Sequence, residues 1–349
     1  MKGETIKSWD LSLLVVGAGA VGGITAALLK KKDYNVEIVC KNDDYASLIM
    51  NVGLEVKGAA GDFKVRMPAY SSVNQIKERK DLVLLATKAT DMIEAARSIL
   101  PILKENGYVV FLQNGFCEED LASIVGINRV VRCVVGWGAT MELPGKLFMS
   151  SKGDFILGYP DRIPDEFLES LAEIMSAVVP VRTSDNIMGH LYSKLIINSC
   201  ITSLGVISGM FLGKMLSIKK ARTIFIEIIR EAIDVTDAMK IRVDVFGGKL
   251  NFYRFLGGNG LPGRFKRHLL LMIIGFKYRK LKSSSLQSLA KSKPTEIDYL
   301  NGYIVRKGQA LRVHVPVNTA VVNMVHEIEN GSRKISENNF NDPIFDRFN

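Results

Sequence analysis

A glycine-rich turn at residues 17–22 is the first part of the sequence whose residue types and spacing could bind a charged ligand. It follows an apolar run, residues 11–16, typical of a buried strand, and it precedes a helical pattern at residues 23–31. In this context the first glycine permits a tight turn, the second lets the backbone approach a pyrophosphate, and the third allows close helix packing. The phosphates would then face the helix N-terminus. A turn that binds nothing is the alternative. The predicted dinucleotide-binding residues are Gly17, Ala18, Gly19, Ala20, Val21 and Gly22.

The identity of the dinucleotide depends on the end of the second apolar run, residues 36–40. NAD-binding domains usually place an acidic residue there to hold the ribose hydroxyls. This chain has Lys41 instead, and a lysine suits a 2′-phosphate. The sequence therefore favours NADPH, while Asp43 and Asp44, which follow closely, leave NADH open.

The elements that would position this turn alternate between strand and helix in the first half of the chain. Further strands are predicted at residues 82–87, 108–112 and 130–135, with a helix at residues 92–103 between two of them. A Pro144-Gly145 turn between residues 136–140 and 146–149 predicts an antiparallel extension that closes this domain.

Long helical patterns replace the strands from about residue 184. They are predicted at residues 186–201, 218–239, 283–290, 296–307 and 318–329. We therefore expect an α/β protein with an N-terminal Rossmann-type doubly wound sheet, residues 1–182, and a C-terminal all-helical domain, residues 183–349.

Several polar segments outside the glycine turn occur in a fixed order along the chain. They are Ala86-Thr87-Lys88, Gln113-Asn114-Gly115, Lys194 with Asn198, Ser283-Ser284-Ser285-Leu286-Gln287, and Thr295-Glu296-Ile297-Asp298 with Gly302. Together with the glycine turn and the strand-end lysine, this ordered set resembles the ketopantoate reductase (2-dehydropantoate 2-reductase) family. The resemblance extends from about residue 11 to residue 329 and implies reduction of a 2-keto acid by NADPH.

The resemblance also implies roles for individual residues. Lys194 would be the general acid that protonates the carbonyl oxygen as hydride arrives, and Glu296 would orient the reacting oxygen and the cofactor ribose. Asn114 would lie between nicotinamide and substrate, and Lys41 would meet the 2′-phosphate. The other residues implied in binding are Lys88 and Met141 for the cofactor, and Asn198, Thr202 and Ser284 for the substrate.

Elementary chemistry agrees with these roles but leaves plainer explanations open. Ketone reduction builds negative charge on oxygen, which a nearby ammonium stabilises, and Lys194 and Asn198 are four residues apart, on one helical face. However, a lysine on an apolar helix often extends to solvent. Asn198 could bond a neighbouring helix, the serines at residues 283–285 could start a helix, and Glu296 could be a first-turn acid.

The chain departs from the family pattern where the substrate's polar end would bind. Thr202 and Leu212 occupy positions at which typical members have substrate asparagines, and Ser288 replaces an acid. Lost hydrogen-bond partners change specificity more than reaction type. An extra stretch, residues 251–281, is expected to be either a lid over the site or a surface helical hairpin.

The formal charge of +10 in 349 residues is concentrated in one place. Residues 245–295 contain eleven basic and no acidic residues, whereas the rest of the chain has 35 basic and 36 acidic residues. We expect this basic segment to attract the anionic cofactor and an acidic substrate. Charge alone leaves a membrane- or nucleic-acid-associated protein as a further alternative, but no zinc spacing, recognition-helix pattern or RNA-stacking motif supports it, and the histidines fit no metal site.

Composition and the N-terminus predict a cytoplasmic protein. The four cysteines form no CxxC motif, the charged first ten residues do not resemble a signal peptide, and the longest apolar run, residues 269–276, is too short to cross a bilayer. The leading hypothesis is therefore an NADPH-dependent reductase of a small anionic keto acid, with 2-dehydropantoate as the first candidate. The sequence leaves the oligomeric state open, and a homodimer through the helical domain is one arrangement. The alternatives are a reductase of another keto acid or an imine, and a non-catalytic NADPH-binding protein.

Overall fold

The first half of the chain folds into strands and helices that alternate, because short β-branched runs separate longer amphipathic segments. A computed structural model describes residues 11–113, 118–258, 260–290 and 292–348. The strands are β1 (Leu13–Val16), β2 (Val36–Val39), β3 (Leu54–Gly58), β4 (Phe63–Val65), β5 (Ala69–Tyr70), β6 (Lys80–Leu85), β7 (Leu103–Phe111), β8 (Val130–Val135), β9 (Gly138–Leu143), β10 (Lys146–Ser151), β11 (Phe155–Gly158) and β12 (Val181–Thr183). The helices are α1 (Ala20–Lys31), α2 (Asp43–Asn51), α3 (Met92–Ser98), α4 (Glu118–Val125) and α5 (Glu166–Met175).

Eight of these strands form the doubly wound sheet that the sequence predicts. Their order is β12-β11-β8-β7-β6-β1-β2-β5, and all neighbours are parallel except β8 and β11. The chain leaves β1 toward β2 on one side and later returns to β6 on the other. Open sheets of this kind bind ligands at such a switch point, outside the carboxyl ends of the strands.

The remaining four strands form a second sheet, which differs from the expected extension of the first. The hairpin β9–β10 is antiparallel around the predicted Pro144-Gly145 turn, but β10 also pairs in parallel with β3 to give the order β4-β3-β10-β9. This sheet packs on α1, where a Cβ on Gly23 would lie 2.7 Å from Leu147 Cδ1. The strand that extends the main sheet antiparallel is instead β11.

The second half of the chain is helical within the described residues. Its helices are α6 (Ile187–Ser208), α7 (Leu212–Ser217), α8 (Lys219–Ala238), α9 (Phe252–Leu256), α10 (Gly260–Lys277), α11 (Ser284–Leu289), α12 (Asn301–Leu311) and α13 (Pro316–Glu329). Short 3₁₀ helices cover Ile297–Tyr299, Glu337–Asn341 and Pro343–Phe348. The chain divides into two compact units after Ile187, a few residues beyond the expected boundary at 182, because β12 still belongs to the main sheet.

The longest helix described, α6, is apolar enough to be compared with a membrane-spanning helix. Of the described helices it alone has the length and hydropathy of a membrane span, although 83% of its apolar window is buried within the protein. The sequence analysis, which considered only uninterrupted apolar runs, did not identify α6 as a helix of this kind. Lys194 and several small polar residues interrupt its apolar run but lower its mean hydropathy only slightly. Burial of this kind is typical of the core helix of a globular domain.

Three predicted helices differ in extent from those observed, and the first, predicted at residues 186–201, continues to Ser208 as α6. The helix expected at residues 92–103 ends at Ser98, because Pro101 follows and the chain passes through a 3₁₀ turn into β7. The helix expected at residues 296–307 is a 3₁₀ turn and then α12, separated by Leu300. The extra stretch forms α9 and α10, which pack on each other and on α8.

Candidate active site

The glycine turn sits where β1 meets the neighbouring strand β6. Gly17 has a φ of +106°, and a Cβ there would lie 2.8 Å from the carbonyl oxygen of Ala86 and 2.9 Å from the amide nitrogen of Thr87. Both the left-handed backbone and the close approach exclude larger residues. The turn is therefore fixed against the end of β6, at the switch point of the sheet.

The other two glycines of the turn have different surroundings. A Cβ on Gly22 would lie 2.0 Å from the Gly17 carbonyl oxygen, whereas a Cβ on Gly19 would meet no atom within 4 Å. Gly19 is the N-cap of α1, makes no side-chain cap, and is followed by a first turn without acidic residues. The free space and the uncapped amides fit the pyrophosphate of a dinucleotide, since helix N-termini favour anions.

The second sheet and α2 contribute a side chain that sequence reasoning missed. The Tyr45 hydroxyl donates to the Ala18 carbonyl oxygen at 2.9 Å and lies 3.6 Å from Met141 Sδ. Burial raises the pKa of Tyr45. Met141, which the resemblance implies as a cofactor contact, is thus linked through Tyr45 to the glycine turn. The only sequence signal was that Tyr45 lies in the first turn of a helix capped by Asn42.

Lys41 follows β2 and is highly exposed. Its Nζ lies 3.4 Å from Asp91 Oδ2, with side-chain exposures of 87% and 40%. Surface pairs of this kind are weak, so the ammonium can turn to another anion. Asp43 and Asp44, which left NADH open, occupy the first turn of α2, where they complement the helix dipole.

The segments after β6 and β7 lie on the same edge of the sheet, because these parallel strands are neighbours. Lys88 is exposed and precedes a short 3₁₀ helix. Gln113 Nε2 reaches Thr87 Oγ1 at 3.4 Å, and its buried Oε1 has no hydrogen-bond partner among the described residues. Asn114, the next predicted contact, lies outside the described residues.

The helical unit carries the predicted proton donor. Lys194 and Asn198 lie one turn apart on α6 and are both half-buried. The residues between them are the apolar Leu195, Ile196 and Ile197, all buried. An ammonium beside such a surface is less well hydrated than one in water, which strengthens its interaction with a nearby negative charge.

A pair of tyrosines connects the helix of Lys194 with the helix that follows Glu296. The hydroxyls of Tyr192 on α6 and Tyr303 on α12 are 3.0 Å apart, and the Tyr192 hydroxyl also lies 3.3 Å from Met239 Sδ. Both rings are buried. Sequence reasoning missed this pair, since neither residue differs in pattern from an ordinary core aromatic.

Glu296 is half-buried, and hydrogen bonds made by Thr295 and Ile297 on either side fix its backbone. The Thr295 amide donates to Glu329 Oε1 at 2.7 Å, and Thr295 Oγ1 accepts the Ile297 amide at 3.2 Å. The Glu296 carbonyl accepts the Tyr299 amide at 3.0 Å. Glu296 therefore begins a 3₁₀ turn rather than a helix.

The structure brings two of the proposed substrate segments together. Ser283 Oγ donates to the Thr202 carbonyl at 2.9 Å and caps α11 by accepting the Leu286 amide. The Thr202 hydroxyl donates to the Asn198 carbonyl, so toward a further ligand it can only accept. The Ser284 backbone begins α11, and its side chain lies outside what is described. Leu212, at the other altered position, is buried on α7.

A buried carboxylate holds the helices of this unit together. Glu231 on α8 accepts the amides of Val317 and Asn318 at 2.7 and 2.8 Å and Asn318 Nδ2 at 2.7 Å, at the N-terminus of α13. Asn318 Oδ1 in turn accepts from Asn301 Nδ2 at 2.9 Å. Burial raises the pKa of Glu231, although the three donors oppose this.

Replacing this carboxylate is expected to weaken the helical unit. Glu231→Gln would point an amide NH₂ at a buried N–H donor, and one unmade buried hydrogen bond costs about 1–3 kcal/mol. Equilibrium urea unfolding measures the change. Glu227→Gln, on the same helix in a half-exposed pair with Arg230, is the control and should cost less than about 1 kcal/mol. Equal losses in the two variants would contradict the assigned role.

Comparison with known proteins adds the family context. The family model described as "Ketopantoate reductase PanE/ApbA" matches residues 13–162, and "Ketopantoate reductase PanE/ApbA C terminal" matches residues 186–329. A 2-dehydropantoate 2-reductase of Pyrococcus abyssi (strain GE5 / Orsay) is 29% identical over 88% of this chain and 94% of its own length.

Solved structures extend the likeness to the fold. A PanE/ApbA family ketopantoate reductase from Ralstonia eutropha JMP134 is 28% identical, with a TM-score of 0.79 over 93% of this chain and all of its own. A D-mandelate dehydrogenase solved with NADH and anilino(oxo)acetate has a TM-score of 0.77 over 92% of this chain and 99% of its own, at 21% identity. The latter likeness concerns the fold alone.

Proposed function

The chain belongs to the ketopantoate reductase family, and we propose that it uses Lys194 and Glu296 to perform this family's reaction, the NADPH-dependent reduction of 2-dehydropantoate to pantoate. It is an oxidoreductase of the class that is named for the reverse direction, the oxidation of the CH–OH group of the hydroxy acid. The observation that carries the residue assignment is the helix α6, which presents a lysine and an asparagine one turn apart beside buried apolar residues.

NADPH supplies the hydride in this reaction. The residues proposed to hold it are the glycine turn, Lys41, Lys88 and Asn114, together with Met141 and Glu296. The space beside Gly19 and the uncapped start of α1 support the pyrophosphate position. The exposed ammonium of Lys41 supports a contact with the 2′-phosphate.

Lys194 is the proposed proton donor. Negative charge grows on the carbonyl oxygen as the carbonyl carbon accepts a hydride, and the Nζ ammonium stabilises that charge. The proton then passes from Nζ to the oxygen, which yields the 2-hydroxy acid and a neutral amine. Solvent returns the proton to Nζ before the next turnover. Leu191 and Ile197, three residues before and after Lys194 on the same side of the helix, are buried; they limit water there and so strengthen the electrostatic contribution.

Glu296 and the polar groups near it are proposed to orient the reactants. A carboxylate can accept hydrogen bonds from hydroxyl and ammonium groups but cannot donate when ionised. The anchored backbone on both sides of Glu296 supports a fixed position for this acceptor. Asn198 is proposed to bind the substrate through its side-chain amide, with Asn114, Thr202 and Ser284 as further substrate contacts.

The altered pocket favours a second candidate substrate class alongside 2-dehydropantoate. Thr202 has committed its only proton to the α6 backbone, and Leu212 is a buried apolar residue. A site built this way offers fewer donors to a polar substrate, which favours other small anionic 2-keto acids. The activity test is oxidation of NADPH, followed by absorbance, with 2-dehydropantoate and a panel of 2-keto acids. Turnover of another keto acid with none of 2-dehydropantoate would replace the substrate but keep the reaction.

Lys41 is predicted to decide between the two cofactors. Lys41→Ala should raise the KM for NADPH by at least about tenfold, because a charge-assisted contact worth about 1.5–3 kcal/mol is lost. The KM for NADH should not change, since NADH lacks the 2′-phosphate. Initial rates with both cofactors test this, with the exposed Lys57→Ala as control. An equal rise for NADPH and NADH would contradict the assignment.

A further inference from the structure

Helix α10 packs on its own domain through a narrow face that includes two glycines. Gly263, Arg267, Leu271 and Gly275 form its buried face. A Cβ on Gly275 would lie 2.8 Å from Leu216 Cβ of α7, and the backbones of α7 and α10 therefore approach closely. Apart from buried Leu271 and half-buried Leu270 and Ile274, the large apolar residues of α10 consequently do not hold it in place.

Those large residues face solvent instead. They are Leu261, Phe265, Leu269, Met272, Ile273 and Phe276, which recur at three- and four-residue spacing and so form one stripe. Leu261, Phe265 and Phe276 are 80%, 70% and 75% exposed. An ordinary surface helix has the opposite arrangement, with its large apolar side chains inside. Contiguous exposed apolar surface of this kind marks an interaction site.

Basic residues border this apolar stripe on both sides. Lys266 lies seven residues before Ile273 and Lys277 lies four residues after it, so both are on the edge of the stripe next to Ile273. Both lysines are exposed. Arg264 lies along the other edge and is also exposed. Since residues 245–295 contain no Asp or Glu, no acidic side chain of this segment offsets these charges.

A small basic cavity opens on the Arg264 edge, between α8 and α10. It has a volume of about 220 Å³, and its lining includes Arg230, Arg264, Arg267 and His268. His268 Nδ1 accepts from Arg222 Nε at 3.3 Å, so its Nε2 carries the proton and can donate. The cavity therefore presents several N–H donors, and Glu227, which pairs with Arg230, is the acid on its wall.

Arg267 is held in this wall. It is 7% exposed, and its Nη1 donates to the carbonyls of Leu256 and Gly258 at 3.1 Å each. Arg267 therefore caps the C-terminus of α9, and its Nη1 is committed to these carbonyls. One cation of the cavity wall is thus held by the fold, whereas Arg264 remains exposed at its edge.

We propose that α10 docks this enzyme on an anionic phospholipid surface, with the apolar stripe in the headgroup region and the basic edges and cavity on lipid phosphates. Helices that lie in a membrane interface combine such an apolar face with lysine and arginine borders. A second copy of the chain is the weaker candidate for this face. A two-fold contact centred on α10 would bring basic edges against basic edges, which like-charge repulsion opposes.

Vesicle flotation of the full-length protein tests the proposal. The protein should float with vesicles of equimolar phosphatidylcholine and phosphatidylglycerol at low salt, and at least about tenfold less with pure phosphatidylcholine or at high salt. The double variant Phe265→Ser/Phe276→Ser should lose at least about tenfold in binding while keeping its melting temperature and NADPH oxidation. Ile163→Ser, an equally exposed apolar residue in the other domain, is the matched control and should bind as the wild type does.

The charged edges are tested in the same assay. Lys266→Gln/Lys277→Gln should weaken binding to the mixed vesicles, whereas Lys214→Gln, an exposed lysine paired with Glu337, should not. Absence of binding to mixed vesicles, or equal binding to neutral ones, would overturn the proposal. So would a phenylalanine double variant that still floats but changes from dimer to monomer in light scattering, since a second copy would then cover the stripe.

Discussion

Replacing Lys194 with alanine should lower kcat for keto-acid reduction by about 10²–10⁴-fold, the usual contribution of a positioned general acid. The affinity for NADPH should stay within about twofold, because the residues proposed to hold the pyrophosphate are in the other domain. Steady-state NADPH oxidation gives kcat, and a fluorescence titration of NADPH gives the dissociation constant.

Two further variants separate proton donation from charge and from damage to the fold. Lys194→Arg keeps a cation but cannot give up its proton near neutral pH, so it should stay almost inactive. Lys214→Ala, on a neighbouring helix, should behave as the wild type. Substantial activity in Lys194→Ala would show that the acid is elsewhere. Full activity in Lys194→Arg would show that the residue at this position supplies a positive charge but not the proton.

Gly19→Val is expected to separate cofactor binding from folding. A Cβ at this position meets no protein atom within 4 Å, and the backbone there is extended with a φ of −73°. The free energy of unfolding should therefore change by no more than about 1 kcal/mol, the usual range for a poorer N-cap. The added methyl groups would occupy the space proposed for the pyrophosphate, so the NADPH dissociation constant should rise by at least about tenfold.

Gly22→Ala is the contrasting variant in the same turn. Its Cβ would lie 2.0 Å from a backbone oxygen, so the turn must move and both stability and NADPH affinity should fall. Thermal unfolding and NADPH titration of the two variants decide the matter. If Gly19→Val binds NADPH as the wild type does, the open space beside the turn is not the pyrophosphate site.

Much of the nucleotide-binding domain could be predicted from the sequence, because local patterns specify it. Each of the five predicted strands is present, and the glycine turn has the strained and crowded backbone that its spacing indicated. The second sheet could not be foreseen in the same way. The pairing of β3 with β10 joins segments that are far apart in the chain. The alternation of apolar and polar residues in a strand does not indicate which other strand it pairs with.

The candidate site shows the same division. The resemblance named Lys194 and Glu296, whereas the side chains that fix their surroundings, such as Tyr303 and Glu231, had no sequence signal. These residues act through tertiary hydrogen bonds between helices, which no single-helix periodicity reveals. The apolar run at residues 269–276 was visible in the sequence. Its orientation was not, because the glycines that bury the opposite face determine which side is exposed.

The second sheet also has a consequence for the order in which this domain folds. It covers α1 on the side away from the main sheet, with Leu147 packed against Gly23. Its two central strands, β3 and β10, pair from Glu55 and Lys146 onward and so close a long loop. Such non-local pairings form slowly because loop-closure entropy opposes them. The helix that follows the glycine turn is therefore completed on one side by local packing and on the other by some of the domain's most distant pairings. A nascent chain would reach residue 65 with β3 and β4 able to pair, yet α1 would stay partly uncovered until residues 138–151 had been synthesised.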